Sequence, residues 1–226
     1  SLVWQIQNVQ VKCDMCTLDN GLDNSYAEHM LSGKAFPINY STYISQNQSI
    51  LSRLNGQQKV RLNVTRALSR LMSVFVSLDK EVPNTIANAG RKSFNHFYSP
   101  MKAYSSSEHN PFDSRGEFQF QLQVGSKLYP EYPIRSHSES YYQLRKTLGV
   151  QSSSLHNFDI NSHEYRNSKF ILGIDLEKVL EAGFTGLSTK SGDILSVRFD
   201  HEDTTATNYA TSVQIILHSD CILEIR

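Results

Sequence analysis

The chain has 226 residues, 39% hydrophobic, 10% aromatic and 19% charged, with 22 basic and 22 acidic side chains that cancel at neutral pH. Its length supplies a core without metals or disulfides. Its zero net charge argues against counterion-driven nucleic-acid binding or adhesion to an anionic membrane, and leaves little repulsion between copies. No apolar run approaches the roughly 20 residues that span a bilayer, and no basic-then-apolar signal opens the sequence. Three cysteines fit a reducing compartment better than a disulfide framework.

Hydrophobic alternation with period two dominates, the mark of strands with one buried face. Val9, Val11, Cys13 and Met15 alternate with Asn8, Gln10, Lys12 and Asp14, which predicts a first strand. A short helix over about Ser25 to Leu31 follows, with Asp23 or Asn24 as cap and Gly33 as stop. Strands are then expected over Ile38 to Ile44, Val60 to Val64 and Met72 to Leu78. Glu117 to Val124 alternates most cleanly, with Phe118, Phe120, Leu122 and Val124 on one face and Glu117, Gln119, Gln121 and Gln123 on the other.

A second helix begins at Ser136, where Ser136 and Glu139 have the spacing of a capping box, and ends at Gly149. Strands at Phe170 to Ile174 and Leu195 to Phe199 flank a third helix over Leu176 to Ala182, capped by Asp175. The last strand, Val213 to Arg226, gathers Val213, Ile215, Leu217, Cys221, Leu223 and Ile225 on one face. Eight strands with few helices make the chain all-β. Two connections, 79–116 and 125–168, are far longer than the usual 4–6 residues, and such lengths accompany function. The first carries Phe94, Phe97, Tyr98, Tyr104 and Phe112, an apolar load suited to packing on the chain's own sheets or on a neighbouring copy.

Chemistry-bearing motifs are sparse. Cys13 and Cys16 stand three apart, which on a strand points them to opposite faces, and only Cys221 remains as a third thiol. They read as a core cysteine and a strand-end cysteine. No His-x-His pair, Gly-x-Ser-x-Gly elbow or phosphate-binding glycine loop occurs. His163-Glu164 and His201-Glu202-Asp203 read as solvated turns, and His218 falls on the polar face of its strand. Lys59, Arg61, Arg66 and Arg70 cluster without the interleaved aromatics that stack single-stranded bases. No catalytic, cofactor-binding or metal-ligating residue is assigned, and the chain is not read as an enzyme.

GSKLYPEYPIRSHSESYYQLRKTLG (Gly125 to Gly149) and KFILGIDLEKVLEAGFTGLSTKSGDIL (Lys169 to Leu195) resemble major capsid proteins of double-jelly-roll DNA viruses, in the polinton-like and virophage-like branch. LDNSYAEHMLSGKAFPINYSTY (Leu22 to Tyr43) and RALSRLMSVFVSL (Arg66 to Leu78) resemble the same family. The resemblance implies an eight-stranded jelly-roll sandwich, residues 1–226 forming one domain of a longer double-jelly-roll chain, its C-terminal half. It implies homotrimeric, pseudohexagonal capsomers that tile an icosahedral shell, located in the virion and assembled inside the host cell. The implied partners are copies of the chain, neighbouring capsomers, and penton and minor capsid proteins. Cofactors, a membrane span and sequence-specific nucleic acid are not implied. A receptor- or carbohydrate-binding jelly roll is the alternative.

Overall fold

A computed structural model describes residues 5–50, 57–79, 97, 99, 117–149, 160–167, 169–177, 186–190, 192–202 and 210–225. Among them the strands are β1 (Phe36–Ser49), β2 (Gln57–Val64), β3 (Leu71–Asp79), β4 (Glu117–Val124), β5 (Lys127–Ile134), β6 (Ile171–Asp175), β7 (Leu195–Glu202) and β8 (Ser212–Ile225). The helices are α1 (Asn20–Leu31), α2 (His137–Thr147) and α3 (Ser162–Asn167).

All pairings are antiparallel and nested. β1 pairs with β8, β2 with β7, β3 with β6 and β4 with β5, so the first strand meets the last and the middle two meet each other. Contacts of β3 with β8 and of β4 with β7 merge these pairs into two four-stranded sheets. The first has the order β1-β8-β3-β6 and the second β2-β7-β4-β5. Alternation decides which side chains turn inward. Val74, Val76, Leu78, Val213, Ile215 and Leu217 of the first sheet join Val60, Phe118, Phe120, Leu122, Val197 and Phe199 of the second in one buried cluster. Phe118 links the two, meeting Phe170 edge-on at 5.6 Å and lying over Phe199 at 6.1 Å.

Helix α2 lies outside the first sheet. Its Leu144 and Thr147 reach β6 at Gly173, where an added Cβ would sit 3.1–3.2 Å from their side-chain atoms. Glycine there is what lets the helix rest on the strand. Ser136 accepts a hydrogen bond from the Glu139 backbone at 3.1 Å, while the Glu139 carboxylate accepts one from the Arg135 backbone at 3.3 Å. The capping box is therefore displaced by one residue on its return arm. Ser136→Ala is expected to lower stability by about 1 kcal/mol, measurable by urea unfolding; an unchanged midpoint would show that the cap carries nothing.

Tyr165 of α3 is fully buried, its hydroxyl donating to the Ile171 carbonyl at 2.8 Å. Burial pushes that phenol far above its ordinary pKa, so it stays a neutral donor. His137 packs on the Tyr165 ring at 5.2 Å. Burial lowers the His137 pKa, the Arg166 charge acts in the same direction, and a hydrogen bond with the Ser162 backbone opposes them. His218 is lowered too, by burial against an opposing Asp220. Both prefer the neutral form when folded, so below about pH 6.5 the unfolded chain binds protons that the folded chain refuses. Their contribution is complete above that pH and is lost as pH falls toward the lower folded values. Urea titrations at pH 7 and pH 5 should show the parent losing more stability than His137→Gln; equal losses would contradict the assignment.

Several elements differ from expectation. Residues 5–19 form neither strand nor helix despite the alternation of Val9 to Met15, and every side chain there is exposed. Alternation selects a face, but a strand exists only where a partner supplies its hydrogen bonds. Helix α1 starts earlier than expected, at Asn20 after Asp19. Strand β5, KLYPEYPI, lies inside what reads as connection, because Pro130 and Pro133 interrupt alternation. It is the edge of its sheet, where a missing N–H is tolerated. His163 and Glu164 belong to α3, which Asn161 caps by accepting from the Glu164 backbone at 2.8 Å, rather than to a turn. Leu176 and Glu177 are not helical, and the rest of the third expected helix, 178–182, lies outside the described residues.

Candidate interaction surfaces

Three surfaces follow from the nested pairing. The first is one end of the two sheets. Connections 50–56, 80–116, 135–170 and 203–211 all join strand ends at the Ser49, Asp79, Glu117, Ile134, Glu202 and Ser212 side. The opposite end carries 65–70, 125–126 and 176–194. Both of the longest connections therefore leave from the same end, because in a nested arrangement alternate connections share an end. The aromatics expected to pack from 80–116 lie, apart from Phe97, outside the described residues, as do His96 and His109.

The second surface is the outer wall of the β2-β7-β4-β5 sheet. Register places Lys59, Arg61 and Asn63 beside Asp200, Arg198 and Ser196, and these beside Gln119, Gln121 and Gln123. Arg61 forks onto Asp200 with contacts of 2.6 and 2.8 Å. That pair is solvent-exposed, so it contributes well under about 1 kcal/mol and mainly removes one positive charge from the wall. Gln121 donates to the Pro130 and Glu131 carbonyls at 3.1 Å, and Gln123 donates to the Gly125 carbonyl at 2.9 Å. Gln121 thereby satisfies carbonyls in the stretch where the β4–β5 register is irregular.

The third is the free end of the β1–β8 ribbon. β3 pairs with β8 only as far as Ser219, whereas β1 and β8 stay paired out to Phe36 and Ile225. Gln46 and Gln48 donate to the Asn63 carbonyl at 3.3 and 3.0 Å, so β2 ends beside the C-terminal part of β1. The ribbon thus overhangs the second sheet. Its core-side row continues through Tyr40, Ile38 and Phe36 opposite Cys221, Leu223 and Ile225, with Tyr40 at 49% and Leu223 at 52% exposure. Tyr26 of α1 meets Phe36 edge-on at 5.2 Å. On the outer side Tyr43 stacks on His218 at 4.4 Å, and the His218 ring nitrogen lies 3.2 Å from the Ser73 hydroxyl.

The residues singled out in the sequence scatter. Cys13 and Cys16 are both exposed rather than one being in the core, and Cys221 is half-buried on the ribbon. His201 is buried inside β7 beside Phe199, not in a solvated turn. Inward alternation from Phe199 is the signal that could have placed it. Lys59 and Arg61 share the wall of β2, while Arg66 and Arg70 lie in the connection that follows. Among the described residues no group of three or more His, Cys, Asp or Glu side chains could hold a metal ion, and no described helix is long and apolar enough to cross a membrane. No protein-family model matches the chain, and no curated protein matches it either.

Proposed function

We propose that this chain is a jelly roll of a viral major capsid protein of the double-jelly-roll kind, a structural subunit whose work is assembly. The nesting of β1–β8, β2–β7, β3–β6 and β4–β5 carries the reading. An eight-stranded hairpin closed in that order and rolled into two facing sheets has jelly-roll topology, the architecture of many capsid and lectin domains. Both longest connections at one end and an apolar ribbon end suit a subunit set among copies of itself. The resemblance of Gly125 to Gly149 and Lys169 to Leu195 to capsid sequences points the same way.

In this reading three copies close a pseudohexagonal capsomer, and capsomers, pentons and minor capsid proteins complete an icosahedral shell. A permanent interface of this kind buries more than about 2,000 Å². Light scattering on the purified gene product should give the mass of a trimer that survives dilution to low micromolar concentration. A permanent monomer would overturn the reading. A reproducible glycan-array hit or a stoichiometric calcium titration from that monomer would favour the binding-module alternative.

A further inference from the structure

The chain carries two unsatisfied apolar elements near one another in sequence. One is the core-side row of the overhanging ribbon, Phe36, Ile38, Tyr40, Cys221, Leu223 and Ile225, joined at Phe36 to α1, whose Leu22, Tyr26 and Met30 follow one another at four-residue spacing. The other is the arm over residues 5–16, where Val9, Val11, Cys13 and Met15 share a phase and Val9, Val11 and Met15 are 81–92% exposed. At about 200 Å² for a full side chain of this size, each element leaves on the order of 600 Å² of large apolar residue in water. That is the upper range for a patch on an ordinary monomer. Together they approach the roughly 1,200 Å² at which specific interfaces begin.

Among the described residues, none of the side chains of the ribbon row or of α1 is buried. Connections 50–56, 80–116, 135–170 and 203–211 begin and finish at the other end of the sheets, while 65–70 and 176–194 leave from this one. The arm in turn touches nothing that buries any of its side chains. Edge chemistry adds a third observation. β1 is the outer strand of its sheet, and FPINYSTYISQNQS contains no charged residue, the commonest guard of an open edge.

We propose that the arm of one copy lies on the overhanging β1–β8 ribbon of the next. Its alternating apolar row covers the ribbon's core-side row, and its backbone is within reach of the uncharged β1 edge beyond Pro37. The contact is heterologous, arm to ribbon, so it propagates from copy to copy and closes where symmetry allows a ring. The inference rests on the self-assembly reading and specifies where the copies join.

The chain's own cysteines test it, since Cys13 stands on the arm's apolar row and Cys221 on the ribbon's. Mild copper-catalysed oxidation of purified residues 1–226 should give a ladder of dimer and higher bands on a non-reducing gel. The ladder should disappear in Cys221→Ser and in Cys13→Ser. Leu223→Glu should weaken association at least tenfold in sedimentation velocity while the melting temperature stays within a few degrees, because that side chain is half exposed. Oligomers that form without a Cys13–Cys221 bridge, or a bridge confined to monomer-mass bands, would overturn the arm–ribbon joint and leave the assembly reading standing. A monomer of residues 1–226 at every concentration would overturn the arm–ribbon joint, while the assembly reading is decided by the mass of the purified gene product.

Discussion

Phe118→Ala is expected to lower the free energy of unfolding by about 3–5 kcal/mol. Phe118 is 2% exposed and stands where the two sheets meet, in contact with Phe170 beside β6 and with Phe199 on β7. Truncation removes the transfer free energy of the ring. It also leaves a cavity whose walls are pinned by two hydrogen-bonded sheets, so they cannot close over it. The loss of edge-on and stacked ring contacts adds about 1 kcal/mol to the simple burial term. Chemical unfolding followed by tryptophan-independent circular dichroism measures it directly. A loss below about 1 kcal/mol would mean that the inward faces of the two sheets do not share one core.

Gly186→Val is the second large effect, expected at about 2–4 kcal/mol. Gly186 has φ +149°, a conformation open to glycine and costly for a β-branched side chain. A Cβ there would lie 3.0–3.1 Å from Arg70 and Leu71 backbone atoms, which cannot swing away as a side chain can. The next residue, Leu187, exchanges two 2.9 Å backbone hydrogen bonds with Leu71, and Thr189 holds Leu68 by a backbone bond of 2.8 Å. Displacing Gly186 therefore loosens the closure of the core below β3. Leu71 amide exchange should accelerate along with the loss of stability. Unchanged protection at Leu71 would contradict the mechanism.

Strands were legible wherever a clean alternation also had a partner. Glu117 to Val124 matches β4 in extent and facing, and the strand expected over Val213 to Arg226 coincides with β8, Ser212–Ile225, in facing and closely in extent. The same signal at Val9 to Met15 misled, because periodicity records which side chains want burial and not whether a neighbouring strand exists. β5 failed in the opposite way, since an edge strand tolerates the prolines that erase its pattern. The capping residue of α2 was readable because Ser136 and Glu139 act within one turn. The candidate surfaces were not readable, because they depend on which strands pair. No local pattern shows that β1 and β8 outrun β3, or that Gln121 turns back onto its own neighbour β5. The residue types on those surfaces were visible, but their juxtaposition was not.

The most direct test of the structural role is negative-stain imaging of the purified gene product. Threefold particles with a hexagonal outline, two sandwiches to a side, with the 80–116 and 135–170 end raised on one surface, are the result predicted. Isolated single sandwiches at every concentration would contradict it.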